Sequence, residues 1–140
     1  MEGIAVFVDS RGGNTRKVAD AIAAELGVSA GEFPGTVPDD ARVIFLGSGV
    51  YGGKPGERMQ RFVSLGQFEG KKVALFATSA ATKGAETMLS NVAGELARKG
   101  ATVLGSFHGR GKFLLVNRGH PDGADLDRAR SFAREMISRA

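Results

Sequence analysis

The chain has 140 residues and a formal net charge of +4, from 19 Lys and Arg residues against 15 Asp and Glu residues. This length favours a single domain, over residues 1–140, that buries a core without metal or disulfide support. The absence of cysteine excludes disulfides, thiolate metal sites and cysteine nucleophiles. Basic residues are interspersed with acids and form no stripe with exposed aromatics, which argues against nucleic-acid binding.

No apolar segment reaches the length of a membrane-spanning helix, and the chain opens directly on a predicted strand without a signal peptide. We therefore expect a cytoplasmic protein that does not bind a membrane. Because no long exposed apolar segment indicates an interface, we expect a monomer or a weak dimer.

Strand and helix patterns alternate along the chain. The first strand covers residues 3–8 as an unbroken apolar run, typical of a strand buried on both faces of a parallel sheet. A short, polar second strand over residues 29–33 is predicted at a sheet edge. Three further strands are predicted over residues 43–46, 73–77 and 102–107.

Four helices are predicted between and after these strands. The first ends at Gly27, the second opens at Pro55, the third ends at Gly100, and the last is capped by Asp122 or Asp125. This alternation predicts an α/β fold, a three-layer sandwich with helices on both faces of a doubly wound parallel sheet.

The turn after the first strand combines short hydrogen-bond donors, glycines and a basic residue: Ser10, Arg11, Gly12, Gly13, Asn14 and Thr15. A helix start leaves backbone N–H groups unpaired and carries the positive end of the helix dipole, so it suits an anion such as phosphate. The glycines let the backbone approach a ligand closely. The alternative is a capped turn without a ligand, because Ser, Asn and Thr are common N-cap residues.

Small-residue loops are also predicted after the third and fourth strands, over residues 47–55 and 78–84. Ligands bind at the carboxyl ends of the strands in open α/β sheets, where all these loops meet. The G-x-G-x-x-G fingerprint of dinucleotide-binding domains and the G-K-[ST] of P-loops are absent. A receiver domain would have an acidic residue at the end of its third strand, where this chain has Gly47 and Ser48.

The first turn, Ser10-Arg11-Gly12-Gly13-Asn14-Thr15, resembles the [ST]-x-T-G-N-T phosphate loop of flavodoxins, with Gly12 in place of the middle threonine. Ser48-Gly49-Val50-Tyr51-Gly52-Gly53 is similar to the family's second loop, which packs against the isoalloxazine ring. Residues 78–83 fall where the third loop should be. The resemblance covers nearly the whole chain, without the insertion of long-chain members. It implies a five-stranded parallel sheet of order 2-1-3-4-5 and one noncovalent FMN that cycles between oxidised, semiquinone and hydroquinone states.

The resemblance assigns the FMN contacts to these three loops. The residues are Ser10, Arg11, Gly12, Gly13, Asn14, Thr15, Ser48, Gly49, Val50, Tyr51, Gly52, Gly53, Thr78, Ser79, Ala80 and Gly84. Tyr51, the only tyrosine, is expected on or beside the flavin, with a half-exposed surface tyrosine as the alternative. In the family a residue of the second loop turns its carbonyl toward reduced N5. Gly52 is the candidate here, because glycine permits the peptide flip.

Two departures from the family concern the surroundings of the ring. Flavodoxins are usually acidic, whereas this chain is basic and has Lys54 and Lys83 in the loops expected at the ring. Positive charge there favours the anionic hydroquinone, so we expect a less negative potential, which Lys54→Glu should lower. The third loop also lacks the aromatic that usually covers one flavin face, which leaves the ring open to a partner or substrate.

A third departure is the loop predicted at His108-Gly109-Arg110-Gly111-Lys112. It resembles the loop of less characterised flavodoxin-domain proteins, in which a Gly-His-Pro stretch follows, here Gly119-His120-Pro121. Arg110 and Lys112 either hold an acidic substrate or partner or belong to a solvated loop. Residues 113–116 fit a short strand or a packed loop. His108 and His120 lack nearby carboxylates, which argues against a metal site.

The leading hypothesis is an FMN-binding, flavodoxin-like electron carrier that exchanges electrons with a redox partner protein. Because this chain is basic, a partner with an acidic surface would suit it. The alternative is a small FMN-dependent reductase or dehydrogenase that acts on a quinone, a tetrapyrrole or a similar planar acceptor. A third interpretation is a regulatory or assembly module that kept the fold and lost efficient flavin binding, indicated only by the missing middle threonine.

Overall fold

The computed structural model describes residues 3–110 and 123–140. Strands and helices alternate, as the sequence predicts. The elements are β1 (Ile4–Asp9), α1 (Asn14–Glu25), β2 (Ala30–Gly31), β3 (Val43–Gly49), α2 (Glu57–Leu65), β4 (Lys72–Ser79), α3 (Thr82–Arg98), β5 (Thr102–Arg110) and α4 (Gly123–Arg139). The five strands form one parallel sheet of order β2-β1-β3-β4-β5. This confirms the flavodoxin-like order 2-1-3-4-5.

Helices cover both faces of the sheet because its central strands are apolar on both sides. On one face, α1 and α4 pack over a core in which the ring centroids of Phe45 and Phe132 lie 6.0 Å apart. On the other face, α2 and α3 cover a core around Phe62 and Phe68, whose centroids lie 5.6 Å apart. The residues of β3 are all buried, as expected for a strand with a core on each face.

Three strands run two or three residues further toward their carboxyl ends than the sequence predicts, and β1 runs one residue further, to Asp9. β3 continues to Gly49, β4 to Ser79 and β5 to Arg110. Gly47 lies within β3 and not in a loop. The ring of Phe76 fills the space that a side chain at this position would need, since a Cβ there would lie 1.9 Å from Phe76 Cε2. Glycine at this position therefore permits close packing rather than a turn.

The prediction of a loop over residues 108–112 is wrong for residues 108–110, the part of it that the structure describes. His108, Gly109 and Arg110 pair with Ala77, Thr78 and Ser79 of β4 and belong to the sheet. The rest of that loop, Gly111 and Lys112, lies outside the described residues. So do residues 113–116, for which a short strand and a packed loop were both open, and Gly119-His120-Pro121.

Other boundaries differ by a few residues. α3 begins at Thr82, so Lys83 and Gly84 lie in its first turn rather than in the loop. β2 has only two residues and lies at the sheet edge, as its weak pattern predicts. Asp125 is buried in the first turn of α4, whereas Asp122 lies outside the described residues. None of the helices in residues 3–110 and 123–140 has the length and hydrophobicity needed to cross a bilayer.

Candidate functional site

A cleft of about 440 Å³ lies at the carboxyl end of β1, β3 and β4. The parallel arrangement places the three connecting loops at the same edge of the sheet, as the sequence predicts. The loops contribute mostly small and polar side chains, with one aromatic ring. The lining residues are Ser10, Arg11, Gly12, Asn14, Thr15, Gly49, Val50, Tyr51, Thr78, Ser79, Ala80 and Ala81.

The remaining predicted contact residues stand outside that lining. Gly13 is the residue before α1, and Ser48 is buried in β3. Gly52 and Gly53 form the outer turn of the second loop. Gly84 lies in α3 with its Cα facing Val50, since a Cβ there would lie 3.6 Å from Val50 Cγ1. Ala81 lines the cleft without having been predicted.

The first loop presents unpaired N–H groups at the start of α1. Gly13 precedes the helix at a φ of 84°, a left-handed conformation that favours glycine. Ser10 Oγ accepts hydrogen bonds from the N–H groups of Gly13 (3.1 Å) and Arg16 (3.3 Å). The N–H groups of Asn14 and Thr15 have no acceptor among the described residues. Together with the helix dipole, these donors form a site suited to an anion.

The first and third loops are joined by a buried bond between two hydroxyls. Thr15 Oγ1 and Thr78 Oγ1 lie 2.6 Å apart, and either atom can be the donor. Thr15 is 3% exposed and Thr78 is 6% exposed. Because the two hydroxyls have two hydrogens and their mutual bond uses one, the pair keeps one donor for a ligand in the cleft.

The second loop contains a tight turn at Tyr51. The N–H of Tyr51 donates to the carbonyl of Lys54 over 2.8 Å, and the N–H of Lys54 donates to the carbonyl of Tyr51 over 3.2 Å. Gly52 and Gly53 have φ values of 61° and 78°, the backbone of a type I′ turn. This geometry explains why two glycines occur here in succession.

Tyr51 is folded back over the end of β3. A Cβ at Gly49 would lie 2.7 Å from the Tyr51 hydroxyl oxygen, so glycine is needed beneath the ring. The guanidinium of Arg11 lies over the Tyr51 ring, with its Cζ 3.9 Å from the centroid, the geometry of a cation–π contact. The first and second loops therefore meet across the cleft.

Ser48 and Asp9 form hydrogen bonds that fix the second loop and the start of α2 to the ends of β3 and β1. Ser48 Oγ accepts from the N–H of Gly56 (2.8 Å) and donates to the carbonyl of Gly49 (2.7 Å). Asp9 Oδ2 accepts from the N–H groups of Arg58 (2.9 Å) and Met59 (3.3 Å). These contacts fix the start of α2 to the sheet.

Sequence reasoning missed the role of Asp9. Two features of the sequence could have indicated it. Asp9 is a carboxylate at the end of a buried strand, and α2 begins after Gly56, which has no side chain to cap the helix. The pairing of β1 with β3 brings the two together.

The third loop forms the open side of the cleft. Ser79 Oγ accepts from the N–H of Ala81 (3.0 Å), and His108 Nε2 lies 3.1 Å from the Ser79 carbonyl oxygen. Lys54 and Lys83, both predicted at the ring, are exposed and do not line the cleft. Within residues 3–110 and 123–140, no three His, Asp or Glu side chains come together as a metal site.

Known proteins are similar to this chain in sequence and in fold. A family model described as "Flavodoxin domain" matches residues 5–115. The uncharacterized protein MJ0298 of Methanocaldococcus jannaschii is 27% identical over 148 residues, covering 98% of this chain and 99% of that protein.

Solved structures with the same fold include oxidised flavodoxin 1 from Bacillus cereus, with a TM-score of 0.77 and 19% identity, covering 98% of this chain and 97% of that chain. A flavodoxin from the domain Archaea has a TM-score of 0.72 and 19% identity, covering 97% and 96% of the two chains.

Proposed function

Because the chain belongs to the flavodoxin domain family, we propose that it holds one FMN in its cleft and transfers electrons between larger redox enzymes. The observation that carries the proposal is the pair of N–H groups, of Asn14 and Thr15, that lack an acceptor at the start of α1. A helix start leaves N–H groups without intrahelical partners, and these two belong to residues that line the cleft. A phosphate would satisfy both donors and the helix dipole together.

The cleft residues fit the parts of FMN. Arg11 adds positive charge beside the N–H groups of the first loop, and the Thr15–Thr78 pair adds a hydroxyl donor. Val50 offers an apolar surface and Tyr51 an aromatic one to a ring system, although a ring stacked on the face of Tyr51 that Arg11 covers would displace the guanidinium. When bound, FMN supplies the electron-transfer chemistry, while the protein supplies binding, orientation and charge.

Gly52 is proposed to accept a hydrogen bond from the flavin N5–H through its carbonyl group. Its φ of 61° belongs to a turn that residues with side chains adopt with strain. A glycine pair at this turn lets the Gly52 peptide rotate at little steric cost.

Fluorescence titration of the purified protein with FMN and with riboflavin tests FMN binding. We expect FMN to bind at least about 100-fold more tightly, because charge-assisted hydrogen bonds contribute roughly 1.5–3 kcal/mol each. Tyr51→Ala should weaken the binding of both ligands about tenfold, since both would stack their isoalloxazine ring on Tyr51. Equal affinity for FMN and riboflavin would contradict a phosphate site, and no binding of either would contradict flavin binding altogether.

A small FMN-dependent oxidoreductase is a second candidate, favoured by the open side of the cleft. Tyr51 is the only aromatic among the described lining residues, and Ser79, Ala80 and Ala81 form the opposite wall. A planar acceptor such as a quinone would therefore have access to the ring. Steady oxidation of NADH or NADPH by the FMN-loaded protein in the presence of a quinone would support this candidate. Fast electron exchange with redox proteins without such turnover would support the carrier.

A further inference from the structure

Four exposed cationic side chains lie on elements at the carboxyl end of the sheet, the end that holds the cleft. They come from the first loop, the first turn of α1, the second loop and the first turn of α3. We call them the cationic rim: Arg11, Lys17, Lys54 and Lys83. None of them forms an ion pair with another residue in the described part of the chain.

Nearby acids do little to neutralise this rim. Asp9 is buried and accepts hydrogen bonds from the backbone of α2. Glu57 pairs with Arg61 at 3.3 Å. Glu32, which follows β2, pairs with Arg58 at 3.1 Å. Asp125 and Asp127, at the start of α4, pair with Arg128 and Arg130. Glu86, exposed one turn along α3, forms no ion pair in the described part of the chain. At the opposite end of the sheet, acids are interspersed among the basic residues: Asp39, Asp40 and Glu69 lie there with Arg42, Lys71, Lys72, Arg98 and Lys99.

Other arginines near the same end are paired and so contribute less to the field. Arg16 bonds Asp20 at 3.1 Å, and Arg58 bonds Glu32 at 3.1 Å. The rim residues thus differ from these ion-paired arginines.

Arg11 holds one rim charge at the cleft itself. Its guanidinium rests on the Tyr51 ring, 3.9 Å from the centroid, and both residues line the cleft. A cation held against an aromatic face keeps its charge while losing much of its side-chain freedom. One positive charge of the rim is therefore held in the cleft that would take the flavin.

From this arrangement we infer that the cationic rim is a docking surface for a one-electron redox protein whose own cofactor is surrounded by Asp and Glu side chains. The inference rests on the proposed function, because it places the partner over the flavin cleft. Each encounter moves one electron: the partner's centre is oxidised by one unit and the flavin is reduced by one, or the reverse. No covalent bond forms.

Opposite charges on two redox proteins accelerate their encounter. Such steering raises association rates by about 10–10³-fold at low ionic strength and is lost as salt screens the charges. The rim should therefore affect the rate of electron transfer more than the affinity for FMN.

Stopped-flow kinetics of the FMN-loaded protein tests the inference. The probe is a reduced, acidic [2Fe–2S] ferredoxin, and the reading is the second-order rate of flavin reduction. We expect this rate to fall at least about tenfold between low and high salt. Reduction by a small neutral reductant serves as the reference and should change little with salt.

A pair of double variants with equal net charge isolates the position of the charge. Lys54→Glu/Lys83→Glu reverses two rim charges, whereas Lys72→Glu/Arg98→Glu reverses two exposed charges at the opposite end of the sheet. Each lowers the formal net charge by four units, from +4 to zero. We expect the rim variant to react at least about fivefold more slowly with the ferredoxin at low salt than the matched variant.

The outcomes separate this inference from the proposed function. Bound FMN with equal rates for the two double variants would overturn the docking surface alone. The same conclusion would follow if a basic c-type cytochrome reacted faster at low salt than at high salt. A rim effect confined to oxidation of NADPH would also overturn it, in favour of a small anionic substrate. Failure of the protein to bind FMN would overturn both proposals.

Discussion

Thr15 and Thr78 lie far apart in the sequence, yet their hydroxyls form a hydrogen bond with each other in the lining of the cleft. Both side chains are buried, and their oxygens lie 2.6 Å apart. Each hydroxyl has one hydrogen to donate. One of the two hydrogens forms the bond between the threonines, and the other remains free to donate to a ligand or to water. Two small side chains thereby join the loop that would bind phosphate to the end of β4.

Thr78→Val removes this bond while nearly preserving the side-chain volume. We expect the free energy of unfolding to fall by about 1–2 kcal/mol, because Thr15 Oγ1 becomes a buried hydroxyl without its partner. Urea unfolding of the FMN-free protein measures the change. Thr78→Ser, which keeps the hydroxyl, should lose less. A valine variant as stable as the wild type would show that the bond adds nothing to the fold.

At the scale of elements, the start of α2 depends on a residue from β1. The helix begins after Gly56, which has no side chain to cap it. Asp9 Oδ2 instead accepts from Arg58 and Met59, two of the N–H groups that a helix start leaves unpaired. A Cβ at Gly56 would lie 2.3 Å from Asp9 Oδ2. Glycine at the cap position thus makes room for a carboxylate from another strand.

Replacement of Asp9 by alanine should loosen the start of α2 and, through it, the second loop. We expect Asp9→Ala to lower the free energy of unfolding by about 1–2 kcal/mol, the typical contribution of a helix cap. Asp9→Asn keeps an oxygen acceptor but loses the favourable charge–dipole term, so a loss of about 0.3–1 kcal/mol is expected.

Thermal and urea unfolding of the two Asp9 variants measure this order. FMN affinity should fall with stability, since the second loop contributes Tyr51 to the cleft. If Asp9→Ala stabilised the protein, relief from burying a carboxylate would outweigh the lost cap, contrary to our expectation.

At the scale of the whole molecule, the distribution of charge would set the environment of a flavin bound in the cleft. The excess of basic residues predicts a less negative potential for full reduction than in an acidic flavodoxin. Lys54 lies outside the cleft and is exposed. Its influence must therefore pass partly through solvent, where salt screens it.

Lys54→Glu should lower that potential modestly. A unit charge about 10 Å away in water contributes roughly 0.4 kcal/mol, so a reversal changes the energy by roughly 0.8 kcal/mol, or about 35 mV for one electron. Potentiometric titration at low and high salt measures the shift, which should shrink at high salt. Lys72→Glu at the far end is the control. Equal potentials for the Lys54 variant and the wild type would argue against electrostatic control by the second loop.

Glycines account for the difference between the predicted and the observed end of β3. Gly47 and Gly49 suggest a loop because glycine is common in turns, yet both lie in β3. The neighbours that require them, Phe76 and the Tyr51 hydroxyl, come from a different strand and a later turn. At Gly52 and Gly53 the same residue type does form a turn, with positive φ values. Local sequence does not distinguish the two uses of glycine.

The sequence by itself determined the alternation of strands and helices, the layered α/β fold and the position of the first loop at a helix start. Those features follow from apolar periodicity and from the chemistry of caps, which act over a few residues. Its resemblance to flavodoxins also predicted the strand order, which the structure confirms.

Only the tertiary structure decided how distant residues meet. It joined Thr15 to Thr78, placed Asp9 under α2, set Arg11 on Tyr51 and moved His108 into the sheet. These contacts depend on the register between strands and on the space that neighbouring side chains leave. Both are set by the packing of the whole chain, so no local pattern in the sequence encodes them.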